Sequence, residues 1–321
     1  MAISKKQLEE FNKLFAGIVN NVEQTLFGKR HVVQIVLATM ISEGHVLLED
    51  VPGTGKTAMA RAISESMDMK YSRIQFTPDL LPTDITGIEV YNQKKEAFEF
   101  QEGPIFANLV LADEINRASP KTQSALLEAM EERHVTVGKV RRSAGLPFLV
   151  IATQNPIEQS GTYPLPEAQL DRFMIKTSVG YTDPNSTVEI LKGTAHVSGQ
   201  LKAVAKGSDI LTLSAMSREV IANESVLRYI VSIVEETRQA EQIRVGSSVR
   251  GARNLTKLAK TWALTKGRNY IIPDDVKELA TGVLAHRIVL TPDAEFDGVK
   301  PEQIIAQVLE KITPPTGNFE V

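Results

Sequence analysis

The sequence predicts an α/β protein, a parallel sheet sandwiched by helices and followed by a smaller all-helical domain. Three observations carry this. The runs Val46-Leu47-Leu48, Leu109-Val110-Leu111-Ala112 and Phe148-Leu149-Val150-Ile151-Ala152 are near-continuously apolar, as strands covered on both faces are. Helical patterns lie between them, over 56–67 and over 119–132, where Ser119 suits an N-cap and Pro120 the first turn. Beyond Asp183-Pro184 the strands give way to helical stripes: Leu227, Ile230, Val231 and Val234; Leu255, Leu258, Ala259 and Trp262; Val276, Leu279, Ala280 and Val283.

Taken in order, residues 1–21 mix Glu9, Glu10 and Lys13 with apolar positions and predict an amphipathic helix, without the continuous apolar core of a signal peptide. The apolar stretch 31–42 is too short to span a bilayer. Residues 85–100 and 134–147 each place strand-like segments around a polar turn, with Gly138 at the second turn, and predict two hairpins. The polar stretch 199–209 is the best candidate for a mobile loop. Neither an internal repeat nor a low-complexity segment is evident. The 321 residues suffice for two domains, and 42% hydrophobic with 23% charged residues is ordinary for a soluble globular chain. A net charge of −3 supplies no global field toward nucleic acid or anionic membrane. The absence of cysteine excludes a disulfide scaffold and thiolate metal sites. A cytoplasmic location is the default. The five histidines (31, 45, 134, 196, 286) show no metal-ligand spacing and are assigned no chemistry.

The chemistry starts at residues 47–58, LLEDVPGTGKTA. A phosphate cradle needs backbone N–H groups turned inward at a helix N-terminus, with glycines that accept unusual φ/ψ and leave room for the ligand. Gly53-Thr54-Gly55-Lys56-Thr57 fits: Lys56 supplies a charge to the β/γ-phosphates and Thr57 a hydroxyl to Mg²⁺. The full pattern G-x-x-x-x-G-K-[ST] wants glycine where this chain has Asp50. The run 109–112 ends in Asp113-Glu114, adjacent acids on an apolar strand. Asp113 is positioned to hold the Mg²⁺ shell, and Glu114 to orient and deprotonate the attacking water. The third run ends in Thr153-Gln154-Asn155, where an amide reaches the water or the γ-phosphate, or merely closes a turn.

With these motifs in place, QFTPDLLPTDITG (75–87), EGPIFANLVLADEINRASPKTQSALLEAMEE (102–132), ATQNPIEQSGTYPLPEAQLDRF (152–173) and IIPDDV (271–276) resemble the MoxR family of AAA+ ATPases, over nearly the whole chain from about Gly28. The resemblance implies an AAA+ P-loop core over 1–182 and a helical lid over 183–321. It makes Asp50 family usage rather than a broken site. It implies that ATP and Mg²⁺ are bound by Gly28 and by Asp50, Val51, Pro52, Gly53, Thr54, Gly55, Lys56, Thr57 and Ala58, with Thr57 and Asp113 on the metal. Asn155 is then the γ-phosphate sensor. Arg172 matches the arginine finger that enters a neighbouring subunit's site, where such a group contributes ~10³–10⁵ in rate. Arg250 matches the lid arginine that touches phosphate within its own subunit, although Val249 stands where many relatives have proline. Alternatively, Arg172 pairs with Asp171 or Glu167, and Arg250 is a solvated residue near a helix start.

The resemblance further implies a ring, six subunits by family expectation, with both hairpins facing its axial pore. Lys139, Arg141 and Arg142 then either contact an acidic partner or form a solvated basic turn. The first functional reading is an ATP-driven chaperone-like motor acting on client proteins, often with a von Willebrand factor A domain partner. The D-x-S-x-S metal motif of such a partner is absent here, so that domain would be a separate protein. The alternatives are a nucleic-acid-directed ATPase, opposed by the acidic balance and the lack of a basic stripe with aromatics, a magnesium-chelatase-like subunit, and a binding scaffold that barely hydrolyses.

Overall fold

A computed structural model describes residues 3–156, 161–192 and 201–320. Helix α1 (Lys5–Glu23) opens with a capping box: Gln7 N–H donates to the Ser4 hydroxyl, and the Gln7 carboxamide accepts from Ser4 N–H. Its buried residues Phe11, Phe15, Ile18, Val19 and Val22 form the expected apolar stripe. Helix α2 (Arg30–Ile41) is buried nearly all round and is a core helix.

The chain then alternates: β1 (Val46–Glu49), α3 (Lys56–Ser66), β2 (Tyr71–Gln75), short α4 (Pro82–Thr86), hairpin β3 (Gly87–Asn92) and β4 (Ala97–Glu102), β5 (Leu109–Asp113), α5 (Pro120–Glu132), hairpin β6 (His134–Val137) and β7 (Val140–Ser143), β8 (Leu149–Gln154), α6 (Glu167–Leu170) and β9 (Ile175–Thr177). Ser119 caps α5 through its side chain, as expected. Both hairpins form where the sequence predicts them, and Gly138 turns the second at φ +60°.

Strands β1, β2, β5, β8 and β9 make one parallel sheet in the order β2-β5-β8-β1-β9. Alternate residues serve different faces. Leu48, Leu109, Leu111, Leu149 and Ile151 join one apolar cluster, while Leu47, Val110, Ala112, Val150 and Ala152 join the other. Both faces are therefore covered, which is why these strands read as unbroken apolar runs.

Beyond the sheet come α7 (Pro184–Leu191), α8 (Gly207–Arg218), α9 (Glu224–Gln239), β10 (Ile243–Val245), α10 (Val249–Thr265), α11 (Pro273–Leu284), β11 (Val289–Leu290), α12 (Pro292–Phe296) and α13 (Pro301–Lys311). The stripes on α10 and α11 are buried as read from the sequence. On α9 the buried face is instead Val226, Tyr229, Ile230, Ile233 and Val234, with Leu227 and Val231 37% and 52% exposed. Neighbouring apolar residues on α9 gave two possible faces, and packing selected the one that also takes in Tyr229. The lid helices share an apolar cluster with α1, α2 and one face of the sheet.

The polar stretch 199–209 also differs from expectation. Residues 199–200 lie outside the described residues. Gly207 already begins α8, and the N–H groups of Val204 and Ala205 donate to the Ser66 carbonyl. No described helix is long and apolar enough to cross a membrane.

Candidate functional site

Parallel strands deliver their C-terminal ends to one edge, where ligands bind in α/β sheets. Here the tips of β1, β2, β5 and β8 surround a cleft of about 610 Å³, lined by Asp50, residues 52–58, Arg73, Gln75, Asp113, Glu114 and residues 153–155. Gly53 (φ +85°) and Gly55 (φ +94°) hold left-handed backbone, and Gly55 is the N-cap of α3. A Cβ at Gly53 would meet nothing within 4 Å, so glycine is needed there for its conformation and not for space. Lys56 Nζ donates to the carbonyls of Asp50 (3.2 Å) and Val51 (2.8 Å), folding its charge back over the loop. Thr57 and Ala58 lie on the first turn of α3, at the positive end of its dipole.

Asp113 ends β5 and accepts the Thr153 hydroxyl on Oδ1 (2.7 Å) and Arg73 on Oδ2 (2.6 Å). Glu114 follows in left-handed backbone (φ +57°), which bends its carboxylate into the cleft. There its Oε2 accepts from Gln75 (2.7 Å) and Arg117 (3.1 Å), while its N–H donates to the Thr153 hydroxyl. Asn155 is buried in the wall. Among the described residues no cluster of three or more His, Asp or Glu could hold a metal. One hydroxyl and one carboxylate, Thr57 and Asp113, suit a hard divalent cation completed by phosphate oxygens and water, the usual manner of Mg²⁺.

Gly28 is not among the residues lining the cleft. It packs against the start of α7, where a Cβ would fall 2.6 Å from Asp183 Oδ2.

The two arginines are elsewhere. Arg172 Nε lies 3.2 Å from Glu131 Oε2, Arg250 Nη2 pairs with Glu131 Oε1, and Arg250 Nη1 approaches Asp171 Oδ2 at 3.8 Å. They border a separate cavity of about 140 Å³, together with Arg133, Arg253 and Lys257. Arg250 therefore does not line the cleft of its own chain. It sits with Arg172, because α10 is seated against the C-terminal end of α5 through Glu131. The pairing of Arg172 with Asp171 or Glu167 is likewise replaced by Glu131.

Arg73, Gln75, Thr153, Glu131 and Arg287 escaped the sequence reading. Arg287 is buried, its side chain 1% exposed. It donates to Asp171 Oδ1 (2.8 Å) and to carbonyls of Asp171, Phe173 and Met174, gripping the segment that carries Arg172. Burial pulls its pKa down to about 10, with Asp171 opposing. Thr153 lay beside a residue already singled out. The others gave no local signal.

A family model described as "ATPase family associated with various cellular activities (AAA)" matches residues 45–175, and one for the AAA lid domain matches 235–308. The uncharacterised protein YeaC of Bacillus subtilis is 46% identical, over 96% of this chain and 97% of its own. Chaperone MoxR1 of Mycobacterium tuberculosis is 43% identical, over 92% of this chain and 81% of its own. The crystal structure of a proposed ATPase from Cytophaga hutchinsonii superposes with a TM-score of 0.91 at 39% identity, covering 97% of this chain and 98% of that one. Similarity of this extent, on a chain whose strand ends converge on a phosphate loop, makes the protein a member of the MoxR family of AAA+ ATPases.

Proposed function

We propose that the ATPase works as an oligomer whose active sites are shared between copies: the cleft of one subunit binds ATP, and Arg172 and Arg250 of the next complete it. The separation of the two regions supports this reading, since neither arginine lines the cleft of its own chain. Lys56 and the N–H groups of residues 53–57 take the phosphates. Thr57 and Asp113 would hold Mg²⁺, which would supply positive charge against the phosphates. Glu114 accepts the proton of the attacking water as its oxygen bonds to the γ-phosphorus and ADP departs, and Asn155 bonds the γ-phosphate. The finger stabilises charge on the transferring group. Both arginines belong to the neighbouring site because Glu131 holds them together.

The rest of the proposal follows the relatives. Chaperone MoxR1 is named for a chaperone role, and a chaperone-like, ring-forming motor remodelling client proteins in the cytoplasm is the reading we favour. Six subunits and a separate von Willebrand factor A domain partner belong to it.

Mixing two inactive variants tests the shared site. Arg172→Ala keeps a sound cleft, and Lys56→Ala keeps a sound finger. Each alone is expected to lose ~10³-fold or more in turnover, and the mixture to regain a measurable fraction. No recovery, with subunit exchange demonstrated by labelled chains, contradicts the proposal.

A further inference from the structure

The phosphate loop carries an acid where its general pattern has glycine, and the contacts of that acid lead away from the phosphate. Asp50 is 6% exposed at the tip of β1. Its main chain belongs to the loop, its carbonyl accepting from Lys56 Nζ. Its side chain crosses to the residues after β9, where Oδ1 accepts the Gly180 N–H at 3.1 Å and Oδ2 accepts the Val179 N–H. Lys29, 5% exposed at the start of α2, takes the other pole of the same dipeptide. Its Nζ donates to the carbonyls of Val179 (3.1 Å) and Gly180 (2.8 Å).

One dipeptide thus has both N–H groups on a carboxylate and both carbonyls on an ammonium. It lies between the end of β9 at Thr177 and the start of α7 at Pro184, so it is the connection leading from the sheet to the helices beyond. Gly28, next to Lys29, closes the junction against Asp183 and Ser186, whose side chains would lie 2.6 and 2.7 Å from a Cβ there. Two buried charges are strongly disfavoured unless each is well bonded. An apolar pair would fill the same space but would leave four backbone groups without these partners.

We infer that Asp50 and Lys29 form a clamp that fixes the sheet-to-lid connection to the phosphate loop, and that both are positioning residues for ATP hydrolysis. A shift of the loop on binding nucleotide moves Asp50, and with it residues 179–180 and the start of α7. Conversely, the clamp holds the loop in register for the reaction. Lys29 is not among the residues lining the cleft, so a contact with phosphate does not account for an effect of its removal. The inference requires nucleotide in the loop, not a site shared between copies.

Lys29→Met in the full chain, assayed with Mg²⁺ and ATP, tests it. We expect kcat to fall about tenfold or more, as ångström-scale displacement of a catalytic constellation does, with KM for ATP changed less than about threefold. Lys29→Arg, which can still donate to two carbonyls, should recover most of kcat. Amide exchange at Val179 and Gly180 should accelerate in Lys29→Met and return toward the parental rate in Lys29→Arg. Parental kcat despite accelerated exchange would overturn the inference, as would loss of ATP binding matching the loss of turnover. If Lys29→Met does not fold, the near-isosteric Asp50→Asn, which sets an amide against a backbone N–H, is held to the same split between kcat and KM.

Discussion

The cleft and the arginine face contrast in how their charges are partnered. In the cleft, functional side chains hang from the ends of four parallel strands and from the first turn of α3. Its cations are Lys56, turned onto loop carbonyls, and Arg73, bound to Asp113. On the arginine face, Arg172 and Arg250 converge on the single carboxylate of Glu131, with Arg133, Arg253 and Lys257 nearby and Glu43 and Asp171 as the other acids. The first region is a cradle for an anion, whereas the second is a surplus of cations held in place by local acids. On the function we propose, the active site needs both, and a chain that keeps them apart calls for a second copy.

Variants can break or sharpen that contrast. The largest effect is expected in the cleft. Glu114→Gln should bind ATP normally yet lose about 10²–10⁴-fold in turnover, as removal of a general base does. Single-turnover hydrolysis beside equilibrium binding checks this, and a rate within about twofold of the parent would remove Glu114 from the role.

Arg250→Ala should cost less, about tenfold, because Arg172 and its grip by Arg287 stay in place. Its turnover should recover when it is mixed with Lys56→Ala. If Arg250 instead served its own chain's phosphate, the damaged cleft would stay damaged and mixing would restore nothing.

A third effect is on stability and concerns the arginine face. His45 borders that cavity, accepting the Val150 N–H on Nδ1 while Nε2 lies 3.1 Å from the Met130 carbonyl. Burial holds its pKa down to about 4, and burial with the neighbouring Arg287 lowers that of His286 as well. Both rings are therefore neutral in the folded state. The stability this gives is complete above the unfolded value near 6.5 and is lost as pH falls from there toward 4. For His45 the loss is on the order of 3 kcal/mol. Thermal melts from pH 8 to 4 should fall off below pH 6.5, and a flat melting temperature between pH 7 and 5 would contradict the assignment.

The contrast also explains what was legible in the sequence. The cleft was readable because its chemistry is local: glycines that need left-handed backbone, a lysine at the head of a helix, two acids ending an apolar strand. Arg73 and Gln75 were not, because β2 has one buried residue, Ile74, and shows no apolar run. Only the sheet order, which sets β2 beside β5, brings them to Asp113 and Glu114. The arginine face was harder still. Glu131 reads as one of several acids on an amphipathic helix, and its contacts with Arg172 and Arg250 span 41 and 119 residues of chain. Arg172 and Arg250 were found through family resemblance, and only the fold shows them on one carboxylate. Asp50 was visible as a departure from pattern, but its purpose depends on Lys29 and on residues 179–180, which no spacing connects.

The central claim is that hydrolysis needs two copies, and specific activity against concentration tests it most directly. Sedimentation velocity with ATP and Mg²⁺, run alongside turnover across a dilution series, should show activity per chain falling together with the assembled fraction. Undiminished turnover by chains sedimenting as single copies would contradict the account.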